Sequence, residues 1–165
     1  MKTRVIFAVA MGLLAGAALL PAQSGVGLGV MAGVTLPHGE TNDIPSNDWE
    51  PAFNWGFFVD IPLVQAFHIA TSSELYTLGG DAATDMALSF KFIVPLSSFD
   101  LYAGVVAGIT AVADDIAPHV GVLAGGAWIL VSNLDAFVQG KYNIVLDGDE
   151  NIRVMHLNAG VIFRF

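Results

Sequence analysis

From Ile152 to Phe165 the chain reads I-R-V-M-H-L-N-A-G-V-I-F-R-F. Met155, Leu157, Ala159, Val161, Phe163 and Phe165 fill one set of alternate positions. Val154, His156, Asn158, Gly160, Ile162 and Arg164 fill the other. A period of two is that of a β-strand lying between two unlike environments. One face here is wholly apolar; the other mixes small and polar side chains with a few apolar ones.

The rest of the chain needs the same explanation. Its 165 residues suit one domain. Mean hydropathy is +0.65 and only 13% of residues are charged. Beyond the N-terminus, the longest apolar stretches, Leu101–Ala113 and Val120–Val131, fall short of the roughly 20 residues a membrane helix needs. They are also rich in Gly, Val and Ile, which disfavours a helix. A membrane-like composition without membrane helices fits a barrel, whose strands are apolar on one face only. The chain has no cysteine, which excludes disulfides, thiolate metal sites, cysteine nucleophiles and a lipidated N-terminal Cys.

Lys2 and Arg4 precede an apolar run from Val5 to Leu20, and Pro21-Ala22-Gln23-Ser24 follows. That order describes a secretory signal peptide over residues 1–22, cleaved after Ala22 to leave a barrel domain over 23–165. Leu20 departs from the small residue usual two places before the cut. Beyond the signal, Lys91, Lys141, Arg153 and Arg164 stand against all 15 acids. With no basic patch, nucleic acid is not an expected partner.

Alternation predicts eight strands. The first covers Gly25–Leu36, with Val26, Leu28, Val30, Ala32, Val34 and Leu36 on the apolar face and mostly glycine opposite. The polar, Gly/Pro-rich stretch Pro37–Glu50 marks a loop. Strand two places Phe53, Trp55, Phe57, Val59 and Ile61 outward and Asn54, Gly56, Phe58 and Asp60 inward. Strand three spans Phe67–Leu78, with His68, Ser72, Glu74 and Tyr76 on one face. Strand four spans Asp85–Val94, with Lys91 inward. Strand five spans Leu101–Ala113, with Tyr102 and Thr110 inward. Strand six spans His119–Leu130, where both faces are apolar or Gly and alternation is weak. Strand seven spans Asp135–Val145, with Asp135, Phe137, Gln139, Lys141 and Asn143 inward. Loops are expected at 79–84, 113–118 and 146–151, and short turns at 62–66, 95–100 and 131–134.

An even antiparallel meander with an outward apolar band specifies an all-β, eight-stranded, up-and-down transmembrane β-barrel. Closure removes the strand edges that lipid cannot satisfy. A soluble lipocalin-like barrel requires the reverse, polar outside and apolar inside. Here Glu74, Lys91, Gln139 and Lys141 lie opposite the apolar band.

Three stretches carry a family resemblance: Tyr102-x-Gly104, Val138-Gln139-Gly140-Lys141-Tyr142 and the ending Gly160-Val161-Ile162-Phe163-Arg164-Phe165. The pattern resembles the small bacterial outer-membrane barrels of the outer-membrane protein A transmembrane domain and outer-membrane protein X type. The resemblance implies residence in the bacterial outer membrane. It also implies an assembly signal read by the barrel-insertion machinery at Gly160, Phe163 and Phe165. Outer-membrane lipid and lipopolysaccharide are then the surrounding partners. In the family the polar pair of strand seven is typically Glu with a basic residue; here Gln139 replaces the acid, so the family's interior charge network need not transfer.

No constellation points to catalysis or a cofactor. His38, His68, His119 and His156 fall on separate elements with no i, i+4 pair. His156-x-Asn158 is similar to the His-x-Ser of outer-membrane lipid A deacylases, but the serine is missing and parity turns His156 inward. No G-x-S-x-G elbow or Gly-rich nucleotide loop occurs. Asp147-Gly148-Asp149-Glu150-Asn151 lacks the remaining spacing of an EF-hand. The acids gather at one end: Glu40, Asp43, Asp48 and Glu50 in the first loop, Asp81 and Asp85 at the second, Asp114 and Asp115 at the third, Asp147, Asp149 and Glu150 at the fourth. That ring focuses negative potential and is a candidate rim for divalent cations, with Arg153 placed outward to reach a lipid phosphate.

The lumen is the other polar site. If the hairpins turn symmetrically, Glu74 lies opposite Ser89 and diagonal to Lys91, Lys141 faces His156, and Gln139 faces Asn158. A polar plug filling the narrow interior implies an envelope role with contacts through surface loops. A narrow gated channel for ions or one small solute is the alternative.

Overall fold

The computed structural model describes residues 25–38, 50–64, 66–78, 80–113, 115–147 and 150–165; the expected signal peptide lies outside them. Eight strands form one closed antiparallel barrel in sequence order: β1 Gly27–His38, β2 Ala52–Val64, β3 Phe67–Leu78, β4 Asp81–Leu96, β5 Phe99–Val112, β6 Asp115–Val131, β7 Leu134–Asp147 and β8 Glu150–Arg164. β1 and β8 close the ring in a continuous register from Gly27↔Arg164 to His38↔Arg153. One end, the turn end, carries the β2–β3, β4–β5 and β6–β7 connections. The other, the loop end, carries the remaining four.

The faces follow the alternation. Val30, Phe90, Val105, Val122, Val138 and Leu157 are exposed around the wall, while Asn54, Glu74, Lys141 and His156 are buried inside. Only a hydrocarbon surround makes that inversion stable: the apolar wall meets lipid, and the ladder of a closed sheet leaves no backbone group unpaired. β6, weakly patterned in sequence, turns His119, Leu123 and Ala127 inward and Val120, Val122, Ala124 and Trp128 outward.

Three of the loop-end connections are tighter than the composition suggests; of the expected loop at 37–50, Pro37 and His38 belong to β1 and residues 39–49 lie outside the described residues. The segments 79–84, 113–118 and 146–151 are largely strand, because β4 begins at Asp81, β6 at Asp115, β7 reaches Asp147 and β8 begins at Glu150. Ladder hydrogen bonds continue past the apolar band into water, where polar outward residues cost nothing. A left-handed Gly80 (φ 92°) completes the β3–β4 turn, and Ala113 (φ 50°) begins the one after β5.

Inside, bulky side chains lie across from glycines on neighbouring strands. Phe58 pairs with Gly29, Glu74 with Gly56, Lys91 with Gly104 and Phe137 with Gly160. A Cβ at Gly29 would stand 2.2 Å from the Phe58 ring. Eight strands enclose a space just wide enough for side chains, and the glycines make room for the large ones.

The filled interior is layered. An apolar cap at the loop end contains Tyr76, Leu78, Ala83, Val145 and Val154. A polar layer around Glu74 and Asp85 lies beneath it. A second apolar layer follows, including Met31, Phe58, Val106, Leu123 and Phe137, with Phe58 and Phe137 edge to face at 5.2 Å. An ionic cluster around Asp60 closes the turn end.

Candidate functional site: the barrel lumen

In the polar layer, Lys141 on β7 donates to Glu74 on β3. These strands stand four places apart in a ring of eight, on opposite walls. Asn158 on β8 donates to the other Glu74 oxygen at 2.9 Å. Lys141 also lies 3.7 Å from Asp85. Asp85 accepts from Tyr76 (2.9 Å), Thr110 (2.7 Å) and Asn143 (3.1 Å). His156 stands 3.3 Å from Asp85 through Nε2 and 3.6 Å from Glu74 through Nδ1. Its Nδ1 also meets the Thr35 hydroxyl at 3.0 Å, and Asn54 donates to that hydroxyl at 3.0 Å. His119 meets Thr110 at 3.0 Å. Two carboxylates thus share one lysine, and neutral donors supply the remaining hydrogen bonds that buried charge requires.

Three amide oxygens of this layer have no N–H or O–H donor, those of Asn54, Asn143 and Asn158, and a common packing accounts for the last two. Each of those two abuts a glycine across the ladder. A Cβ at Gly121 would stand 2.5 Å from Asn143 Oδ1, and one at Gly33 would stand 2.6 Å from Asn158 Oδ1. The glycine Cα–H groups therefore face these oxygens as weak donors.

The turn-end cluster centres on Asp60, which lies 3.1 Å from Lys91, 2.8 Å from His68 and 3.4 Å from Arg164. Arg164 also reaches Asp135 at 2.5 Å and the Gly25 carbonyl at 3.3 Å. The Lys91 ammonium lies 5.2 Å and 5.3 Å from the Phe58 and Tyr102 ring centroids, favourable for a cation in a dry site.

The six residues expected to form one lumen network therefore divide. Glu74, Lys141, His156 and Asn158 meet. Lys141 pairs across the ladder with His156, and Gln139 with Asn158, but among the described residues no side-chain hydrogen bond reaches the half-buried Gln139. Lys91 does not meet Glu74, which corrects the expected pair. The β3–β4 register ends at Leu78↔Asp81, so Glu74 pairs with Asp85 rather than with Ser89, and Lys91 falls opposite His68. Asp85 is not a rim residue; it is buried at the centre of the polar layer. Alternation already turned Asp85 inward, and the clustering of acids near the loop obscured it.

Of the assembly-signal residues, Phe163 and Phe165 point outward, with rings in edge contact at 4.9 Å. Gly160 faces inward against the Val30 carbonyl and the Phe137 ring, where a Cβ would stand 2.0 Å and 2.8 Å away. That packing requires a glycine at this position. Of the candidate cation rim, Asp115 is exposed at the start of β6, and the strand backbones pair Asp147 with Glu150. Asp114 and Asp149 lie outside the described residues.

No protein-family model matches this sequence, and no curated protein matches it. Its fold is similar to that of Neisserial surface protein A, with a TM-score of 0.73 at 16% identity over 86% of this chain and 98% of that one. It is similar to the N-terminal β-barrel domain of Pseudomonas aeruginosa OprF, with a TM-score of 0.57 at 12% identity over 87% and 100%. It is also similar to Ail, the attachment invasion locus protein of Yersinia pestis, with a TM-score of 0.56 at 10% identity over 87% and 100%. At these identities the likeness is one of fold, and it coincides with the inverted polarity of wall and lumen: the chain is a transmembrane β-barrel with the fold of the small eight-stranded outer-membrane barrels.

Proposed function

We propose that this chain is a non-enzymatic protein of the bacterial outer membrane, delivered by cleavage of residues 1–22, with a closed lumen and an envelope role exercised through its wall and loop end. One observation carries the reading. Glu74 and Asp85 are 1% exposed, Lys141 2% and His156 0%. A conducting pore keeps such groups in contact with water. Here apolar layers lie above and below them, and moving an ion past would desolvate it without compensation. This supports a rigid plug over the narrow channel.

The acidic rim belongs to the same reading. Asp114, Asp115, Asp147, Asp149 and Glu150 concentrate like charge at the loop end, which draws divalent cations and allows bridging to lipopolysaccharide phosphates. Phe165, Phe163 and Gly160 then act in insertion by the barrel-assembly machinery.

Planar-bilayer recording tests the closed lumen. The parent barrel is expected to give no steady openings at any polarity. Reproducible single-channel steps that disappear in Glu74→Ala would establish the channel instead.

A further inference from the structure

The outward face of the β1–β8 seam holds an arrangement that the lumen does not explain. Of the described cationic side chains, Lys91, Lys141 and Arg164 point inward, and Arg153 points outward, exposed, near the loop end. Its partner across the seam is His38, also outward and exposed. Among the described side chains no carboxylate lies within ion-pairing distance of Arg153. The next outward rung holds Leu36, Met155 and Tyr142, with Tyr142 39% exposed. A guanidinium, an imidazole and a phenol therefore stand where an apolar wall meets the polar boundary, the depth that snorkelling cations and interfacial tyrosines occupy.

Below this group the wall is hollowed. A trough of about 570 Å³ crosses the seam, lined by Ala32, Gly140, Leu157, Ala159, Ala124 and Val138 among others. Its small residues Gly140, Ala159 and Ala32 lie on the same three strands as Tyr142, Arg153 and His38. From Arg153 to Leu157 is four residues, roughly 13 Å of strand. One leaflet of hydrocarbon is about 15 Å thick. A chain hanging from a headgroup at Arg153 thus reaches the trough.

We propose that Arg153 and His38, with Tyr142 beside them, hold the phosphate of a membrane lipid whose acyl chain lies in the trough over Gly140, Ala159 and Ala32. Charge selects the headgroup and the hollow selects the chain. A free phosphate ion does not need the trough, and a neutral lipid does not need the guanidinium. The site deepens the envelope reading by naming its lipid contact, but it depends only on the barrel spanning a bilayer, not on which end faces the cell surface.

The test uses barrels reconstituted in bilayers of equal phosphatidylglycerol and phosphatidylcholine, extracted in mild detergent, with retained lipids counted by native mass spectrometry. The parent is expected to keep one phosphatidylglycerol, enriched roughly fivefold over the input ratio, the worth of one cation at a membrane surface. Arg153→Gln with His38→Gln returns retention to the input ratio. Ala159→Leu with Ala32→Leu, which fills the hollow from the lipid side, lowers retention of both lipids. Heat-modifiable migration on a gel verifies that each variant is folded. Retention by the parent at the input ratio, or undiminished selectivity in the Arg153/His38 variant, overturns the proposal. Loss of selectivity with retention unmoved by the leucine variants overturns the trough as chain site. Conductance through the lumen affects none of these readouts, so failure of the closed-lumen reading is distinguishable from failure of this one.

Discussion

Lys141 on β7 and Glu74 on β3 meet across the full width of the barrel. Their strands share no ladder hydrogen bonds, so this ion pair ties opposite walls directly. It is almost completely buried, and a buried charge stripped of its partner is strongly destabilising. Lys141→Met or Glu74→Gln alone should therefore lower the unfolding free energy in detergent or lipid by about 3–5 kcal/mol. The double variant with Met at both positions should recover part of the loss, because Glu74 is then no longer stranded while the buried Asp85 still loses the lysine 3.7 Å away. Glu74 should show no coupling to Lys91, which should couple to Asp60 instead. A double-mutant cycle from urea titrations measures both terms, and a Glu74–Lys91 coupling above about 0.5 kcal/mol would contradict the register.

Gly121, paired with Asn143, faces the lumen, and Gly140, paired with Leu157, faces the lipid. At Gly121 an added Cβ would stand 2.2 Å from the Tyr142 carbonyl and 2.5 Å from Asn143 Oδ1, whereas at Gly140 the nearest atom is the Leu157 Cδ2 at 3.7 Å. Gly121→Ala is expected to destabilise by about 1–3 kcal/mol, as overpacking does. Gly140→Ala should fall within about 0.5 kcal/mol of the parent. Equal urea midpoints for the two variants would refute the packing account of the inward glycines.

Phe165 has two roles. Its ring is 61% exposed on the lipid face. Its backbone closes the seam, with Gly25 N–H donating to the Phe165 carbonyl at 3.0 Å and Phe165 N–H donating to the Val26 carbonyl at 3.0 Å. Phe165→Asp keeps both backbone bonds but removes the aromatic from the lipid side. It should abolish the heat-modifiable form in cells while permitting refolding into detergent micelles in vitro. Normal accumulation of the variant in the outer membrane would remove the terminal aromatic as assembly signal.

The rim yields a salt-specific effect. Millimolar calcium or magnesium should raise the unfolding midpoint in lipid by more than sodium at matched ionic strength, because a ligand bound only by the folded state adds stability by mass action. Changing Asp147, Asp149 and Glu150 to their amides should shrink that difference. An identical midpoint in calcium and sodium would leave the acids as solvated loop residues.

Most of the fold was legible because side-chain facing is local. A strand alternates with period two whatever it pairs with, so the outward band of Val30, Phe90, Val105 and Leu157 and the inward Asn54, Tyr102, Lys141 and His156 are written directly into neighbouring residues. The membrane follows from the sign of that alternation, with ionisable groups on the face opposite the apolar one. The pairing around the β7–β8 connection was legible too, because Lys141↔His156 and Gln139↔Asn158 belong to the same symmetric register that ends at Asp147↔Glu150.

Which inward residues meet was decided only by the tertiary structure. The β3–β4 hairpin turns two residues earlier than its polar composition suggests, which moves the partner of Glu74 four places, from Ser89 to Asp85. A shift of four keeps every side chain on its face, so alternation does not reveal it, yet it replaces one set of ion pairs with another. Closure of the ring then sets the heights at which opposite walls face each other. That geometry brings Lys141 to Glu74 and leaves Lys91 with Asp60 in the layer below, because contact across a barrel depends on register summed over four strand pairs and not on any stretch of sequence that contains both residues.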